Sequence, residues 1–187
     1  MSSPSRGHPF FHAVRGFTTI ELMVVVAILA VLAALAGPSL VPVLERWRVR
    51  QAVEEMTATM AFARTEAIRR GGKVTVRRNT EDATQCALPA SAADWRCGWI
   101  VFHDANGNGV LDKSEPILRV SPATAGVIPT NADTAGAYFQ LTRWGESAGG
   151  ALAFVFASSR SGSSVQTALC MGGGGRVRAK PGAGTCS

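Results

Sequence analysis

Charge is almost absent from one long stretch of this chain. From Phe17 to Leu44 there are 28 residues and a single ionisable side chain, Glu21. Such a segment does not behave as an ordinary solvated surface, and at 1.5 Å rise per residue about 20 apolar residues cross the hydrocarbon core of a bilayer. Histidine is scarce as well: of three, only His103 lies beyond residue 16, and the four cysteines show no CxxC spacing. That poverty of ligands speaks against a zinc centre. A lone histidine on an apolar stretch is more simply a packed side chain than a general base. With no nucleophile elbow or phosphate loop read from the sequence, catalysis has little support and no cofactor is expected. Aromatics are few, and the four tryptophans, Trp47, Trp95, Trp99 and Trp144, read as core or packing residues.

The apolar stretch predicts a membrane-spanning and assembly helix over 17–44. An ionised carboxylate in hydrocarbon costs several kcal/mol, so Glu21 either snorkels to the interface or meets a positive group on a neighbouring copy. Residues 1–16 carry Arg6 and Arg15 and no apolar run of their own. They read as a leader and the cytoplasmic flank of the span, which puts the carboxyl-terminal part in the periplasm. In that compartment an even number of cysteines favours disulfides. Three connectivities are possible, and the local pairing, Cys86 with Cys97 and Cys170 with Cys186, is preferred.

Gly37-Pro38 and Pro42 are expected to kink the helix. Beyond them Val49, Val53, Met56, Met60, Ala63 and Ala67 recur at helical spacing, predicting an amphipathic helix over 45–71. Its stripe could serve a coiled coil, but the alanines favour close packing on the chain's own sheet. Arg50 with Glu54 and Glu66 with Arg70 are spaced as helix ion pairs, and Gly71-Gly72 ends the helix. Residues 72–187 then form a β-rich globular domain. Runs of strand length occur at Lys73–Arg78, Trp99–His103, Ile117–Val120, Ala137–Leu141, Leu152–Ala157 and Val165–Met171, separated by turn-forming residues. The fold class is α+β: a long amino-terminal helix, half transmembrane and half amphipathic, packed on an antiparallel sheet.

Two segments carry possible sites. Asp104, Asn106, Asn108, Asp112 and Glu115 stand at the oxygen-ligand positions of a calcium loop, with Gly109 at the sixth place. The flanks read as strands rather than helices, which favours a simple turn over bound metal. The second segment is basic. With the leader's two arginines set aside, 17 of the 19 cations face 13 anions, and from Ala137 onward Arg143, Arg160, Arg176, Arg178 and Lys180 are opposed only by Glu146. If Gly172–Lys180 is extended, alternation puts Arg176, Arg178 and Lys180 on one side, where the preceding glycines allow a phosphate backbone to approach. A solvated basic hairpin, or a contact with a neighbouring subunit, is the plainer account.

Arg15-Gly16 followed by Phe17-Thr18-Thr19-Ile20-Glu21 resembles the class III signal of type IV pilins and type II secretion pseudopilins. Three further segments resemble the GspH/FimT branch of that superfamily, in the branch's order: Ala63-Arg64-Thr65-Glu66-Ala67-Ile68-Arg69-Arg70, then Gly98-Trp99-Ile100-Val101-Phe102 with Asp104, Asn106, Asn108 and Gly109, then Gly175-Arg176-Val177-Arg178 as the GRxR motif. The resemblance implies cleavage by a prepilin peptidase between Gly16 and Phe17, N-methylation of Phe17, and assembly through Glu21, which could neutralise the freed amino group of a neighbour's Phe17. It implies a bacterial inner-membrane subunit that joins other pilin subunits in a pilus or pseudopilus. In FimT-like minor pilins the GRxR segment is associated with DNA binding in natural transformation. That reading assigns double-stranded DNA to Arg176, Arg178 and Lys180, with Arg160 and Arg143 as auxiliary contacts. No row of aromatics accompanies them, so backbone contact without base stacking is expected. The alternatives are a GspH-type minor pseudopilin of type II secretion and a pilus-priming subunit that binds no ligand.

Overall fold

The computed structural model describes residues 17–80, 86, 91–132, 136–183 and 186, with the side chains of residues 36–39 excepted. The expected leader 1–16 and the cleavage-site residue Gly16 lie outside the described residues. By its internal contacts the chain divides into Met1–Leu40 and Val41–Ser187.

One helix, α1 (Thr19–Arg70), begins in the first unit and continues into the second. Thr18 caps it, its hydroxyl accepting from the Glu21 backbone N–H at 3.3 Å. Glu21 thus sits in the first turn, where a carboxylate complements the helix dipole. The large apolar side chains from Phe17 to Leu35 are exposed. No single helix among the described residues is long and apolar enough to cross a membrane. The segments Thr19–Leu35 and Leu40–Arg70 meet that requirement only as a pair, by length and composition.

In the second unit α1 buries one stripe. Val49, Val53, Met56, Met60, Ala63 and Ala67 are all buried, together with Ala52, against the chain's own sheets rather than a coiled-coil partner. The helix stops as its sequence demands. Gly71 takes φ 74°, its N–H reaches Ile68 and the Gly72 N–H bonds the Ala67 carbonyl at 2.7 Å, a Schellman closure that satisfies the last carbonyls. Glu66 accepts from both Arg69 and Arg70 at 2.7 Å, whereas Arg50 and Glu54 do not close an ion pair.

Eight strands follow among the described residues: β1 (Val74–Arg78), β2 (Trp99–His103), β3 (Ile117–Ser121), β4 (Val127–Asn131), β5 (Tyr138–Leu141), β6 (Leu152–Ser158), β7 (Gln166–Met171) and β8 (Val177–Pro181). They form two four-stranded sheets in the orders β3-β2-β1-β5 and β4-β6-β7-β8, with every pairing antiparallel. Strand β4 was not expected, because Pro129 interrupts its pattern. It is an edge strand, and at positions 129 and 131 the backbone turns away from β6 toward residues 93–95: the Trp95 N–H donates to Pro129 and the Asn131 N–H to Ala93. A proline there costs no ladder bond.

Two side-chain clusters hold the layers together. Trp95, fully buried, stacks near Phe139 of the first sheet and meets Phe154 of the second edge-on at 4.9 Å. Its indole N–H donates to the Gly136 carbonyl. Between α1 and the first sheet runs a polar chain. Trp99 Nε1 donates to Thr59 Oγ1 at 3.0 Å, Thr59 lies 3.2 Å from the Ser121 hydroxyl, and Glu55 accepts from Ser121 at 2.7 Å and from Arg119 at 2.9 Å. Burial opposes ionisation of Glu55, but the Ser121 hydroxyl and the Arg119 guanidinium outweigh it and hold the carboxyl below its ordinary range. The expected cysteine pairs are both present as disulfides, Cys86–Cys97 and Cys170–Cys186.

Candidate nucleic-acid interface

The basic segment is an antiparallel hairpin. Met171 pairs with Val177, Cys170 with Arg178 and Ala168 with Lys180, which makes 177–181 the edge strand β8. The glycine run forms the turn, closed by the Gly175 N–H on the Gly172 carbonyl at 2.8 Å and the Gly172 N–H on the Arg176 carbonyl at 2.9 Å. Val177 packs toward the core, so the alternating positions Arg176, Arg178 and Lys180 fall on the other side. There they line one shallow concavity of about 270 Å³ together with Cys170 and Cys186. Arg176 and Arg178 are exposed and Lys180 is half-buried. Three cations around one concavity, tied by a disulfide on their own sheet, form a surface suited to a polyanion.

A residue far away in sequence fixes the turn. Arg64, on α1, donates through Nη1 to the Gly175 carbonyl at 3.1 Å. Gly175 has φ 77°, and a β-carbon there would stand 2.7 Å from Arg64 Nη1 and 2.8 Å from the Gly145 carbonyl oxygen. The turn after β5, from Thr142 to Glu146, therefore packs directly against the glycine turn before Arg176. It presents Arg143 and Trp144, with the Arg143 guanidinium 5.7 Å from the centre of the indole ring. Arg143 thus belongs beside the basic hairpin. Arg160 does not: it sits at the β6–β7 connection, paired with Glu45 at 3.2 Å, at the opposite end of the β6–β7 ladder from the Met171–Val177 pair.

The tryptophans divide. Trp95 and Trp99 are fully buried, but Trp47 and Trp144 are 59% and 69% exposed, so the packing role expected for all four holds for two. That the turn carrying Trp144 adjoins the glycine turn could not be read from the sequence, because the contact runs through Arg64 and Gly145.

Asp104 is fully buried at the head of the turn before β3. Its carboxylate accepts from Thr75 at 2.7 Å, Gly109 N–H at 2.9 Å, Gln140 at 3.1 Å and Asn108 N–H at 3.1 Å. Burial works against the charge, yet these donors prevail and hold the carboxyl below its usual range. The side-chain oxygens of Asn106 and Asn108 take backbone N–H groups, their amides donate to Asp112, and Glu115 accepts from Ala105 and Asp112. The carboxylate oxygens of Asp104 and Glu115, the side-chain oxygens of Asn106 and Asn108, and Asp112 Oδ2 thus all have hydrogen-bond partners, and among the described residues no group of three or more His, Cys, Asp or Glu side chains is gathered for a metal.

Gly145-Glu146-Ser147-Ala148-Gly149 does have the GxSxG spacing of a nucleophile elbow. It connects β5 to β6 with no helix after it, and Ser147 is buried with no hydrogen-bond partner for its hydroxyl, so the strand-turn-helix context is missing.

Comparison with known proteins bears on the whole assembly. The family model described as Type II transport protein GspH matches residues 52–175, and the prokaryotic N-terminal methylation motif matches residues 12–37. Pilin-like protein PilA1 of Thermus thermophilus is 36% identical over 101 residues, 54% of this chain and 55% of the relative, so the chain spans about half the length of that protein. The fold matches the type IV minor pilin FimU of Pseudomonas aeruginosa in two crystal forms. One gives a TM-score of 0.54 at 19% identity over 73% of this chain and 91% of FimU; the other gives 0.51 at 18% identity over 71% and 92%. The methylation motif, the helix on antiparallel sheets and the GspH match together establish that the chain belongs to the GspH family of the type IV pilin and pseudopilin superfamily.

Proposed function

We propose that this protein is a FimT-like minor pilin that assembles into a pilus and binds DNA without sequence preference during natural transformation. It is a structural and binding subunit rather than an enzyme. In this reading the chain is inserted in the inner membrane through 17–44, cleaved after Gly16 and methylated at Phe17, with Glu21 pairing with a neighbour's amino terminus and residues 72–187 in the periplasm. The convergence of Arg176, Arg178 and Lys180 on one concavity carries the DNA assignment. Lysine and arginine contacts to phosphate oxygens supply affinity without reading sequence. Arg143 is an adjoining contact, and Arg160, engaged by Glu45, contributes little.

The test uses the full chain in detergent and a labelled duplex. Wild type should shift the duplex weakly and in a salt-sensitive manner, while Arg176→Ala with Arg178→Ala abolishes the shift at unchanged thermal stability. Equal shifts by the two proteins would remove the DNA reading.

The description of the matching family favours a second reading, a minor pseudopilin of type II secretion. A strain carrying only the double arginine change distinguishes them. Lost transformation with intact pili supports the first reading, and a secretion defect with normal transformation supports the second.

A further inference from the structure

We infer that Trp144 is an aromatic platform beside the basic hairpin, and that this surface takes DNA with an accessible unpaired base, a single strand or a frayed duplex end, in preference to closed duplex. The inference rests on the DNA-binding reading above and revises its expectation of backbone contact alone.

The observations are local. Trp144 is 69% exposed, the more exposed of the two tryptophans left at the surface, whereas Trp95 and Trp99 are completely buried. An indole in water on a turn is costly to keep unless it is used, and tryptophan is concentrated at contact surfaces for that reason. The ring is presented on a defined turn: the Trp144 N–H donates to Thr142 Oγ1 at 3.3 Å, the Gly145 N–H to the Thr142 carbonyl at 2.9 Å, and the Thr142 N–H to Glu146 at 2.8 Å. One cation lies over it, and its turn adjoins a second basic segment. Arg143 lies 5.7 Å from the ring centre, and Gly145, the next residue, packs against Gly175, which precedes Arg176. Trp144 and Arg176 therefore flank the same glycine-to-glycine contact, one from each turn.

An indole beside Arg143, on a turn that adjoins the turn leading to Arg176, matches the chemistry of a nucleotide whose base has left the stack. The base presents a π face to the ring, and the phosphates on either side of it meet guanidinium groups. Bases inside an intact duplex offer no such face, whereas backbone phosphates are available in either form. Trp144 and the hairpin cations thus divide the work: the cations hold any DNA, and the indole distinguishes an open base.

Competition and direct binding on the full chain in detergent test this, with labelled oligo-dT and a covalently closed circular duplex as probes. Trp144→Ala should weaken oligo-dT binding by roughly fivefold to a hundredfold, the range of a lost base–aromatic stack, and change closed-circle binding less than twofold. Trp144→Phe should recover most of the loss, and Arg176→Ala with Arg178→Ala should weaken both probes. If Trp144→Ala leaves oligo-dT binding unchanged, or weakens both probes equally, the platform is refuted while the DNA reading stands. If wild type binds neither probe, both are refuted.

Discussion

The guanidinium of Arg64 donates to the carbonyl of Gly175 at 3.1 Å, joining α1 to the turn that precedes Arg176. Arg64 lies beneath two turns at once, because a side chain at Gly145 would also collide with it. The helix therefore adds an anchor at the glycine turn to the β7–β8 ladder that holds the hairpin.

Gly175→Ala tests that relationship. It places a β-carbon at φ 77° within 2.8 Å of Arg64 and the Gly145 carbonyl, so about 1–3 kcal/mol of strain is expected. Gly173→Ala meets nothing within 4 Å. Thermal denaturation should show a fall of several degrees for the first and almost none for the second.

Salt dependence measures the cations separately. If Arg176, Arg178 and Lys180 each neutralise one phosphate of a duplex, log K should fall with log salt with a slope of about −2.7, and Arg176→Ala should flatten it by about 0.9. An unchanged slope in that variant would mean Arg176 touches no phosphate.

Thr59→Val removes the acceptor of the buried Trp99 indole N–H and one member of the chain to Ser121 and Glu55. An orphaned buried donor costs about 1–3 kcal/mol, and Thr59→Ser, which keeps the hydroxyl, should cost much less. Chemical denaturation of the two variants gives the comparison.

The carboxyls of Glu55 and Asp104 are held below their ordinary values in the folded state. Their contribution to stability is complete above the unfolded values, about 4.3 for Glu and 3.9 for Asp, and is lost as pH falls through the lower folded values. The melting temperature should therefore decline below about pH 4. The deficit of Glu55→Gln relative to wild type should be largest near neutrality and shrink in acid; a deficit that grows in acid would reverse the assignment.

Breaking the Cys170–Cys186 bond, which closes a loop with a separation of 16, should cost about 3 kcal/mol. DNA affinity should drop with it, since the same disulfide borders the concavity of Arg176, Arg178 and Lys180. Calorimetry and binding on Cys170→Ser with Cys186→Ser check both.

Much of this molecule was legible in the residues. The stripe from Val49 to Ala67, the glycine stop at Gly71 and the six expected strand runs depend on spacing a few residues long, which survives in one dimension. Strand β4 was hidden because Pro129 looks disqualifying until the strand is known to lie at an edge with its free side toward Trp95. Strand β8 was visible only as a basic segment that would alternate if extended. The neighbourhood of Trp144 was not legible, because the contact that creates it joins Arg64 to Gly175 across 111 positions. The pairing of Arg160 was hidden for the related reason that its acid, Glu45, lies 115 positions away.

The charged edge strand has one more effect. Among the described residues no strand pairs with the outer side of β8, and an open strand edge is ordinarily a template for a second copy. Two β8 edges meeting antiparallel would bring Arg178 and Lys180 of one copy close to the same pair of the other, and like charges directly opposite each other are destabilising. The row that suits a polyanion therefore also guards the sheet against self-recruitment. Raising salt should weaken the guard along with the grip, and light scattering would register the first as growing aggregates while binding reports the second.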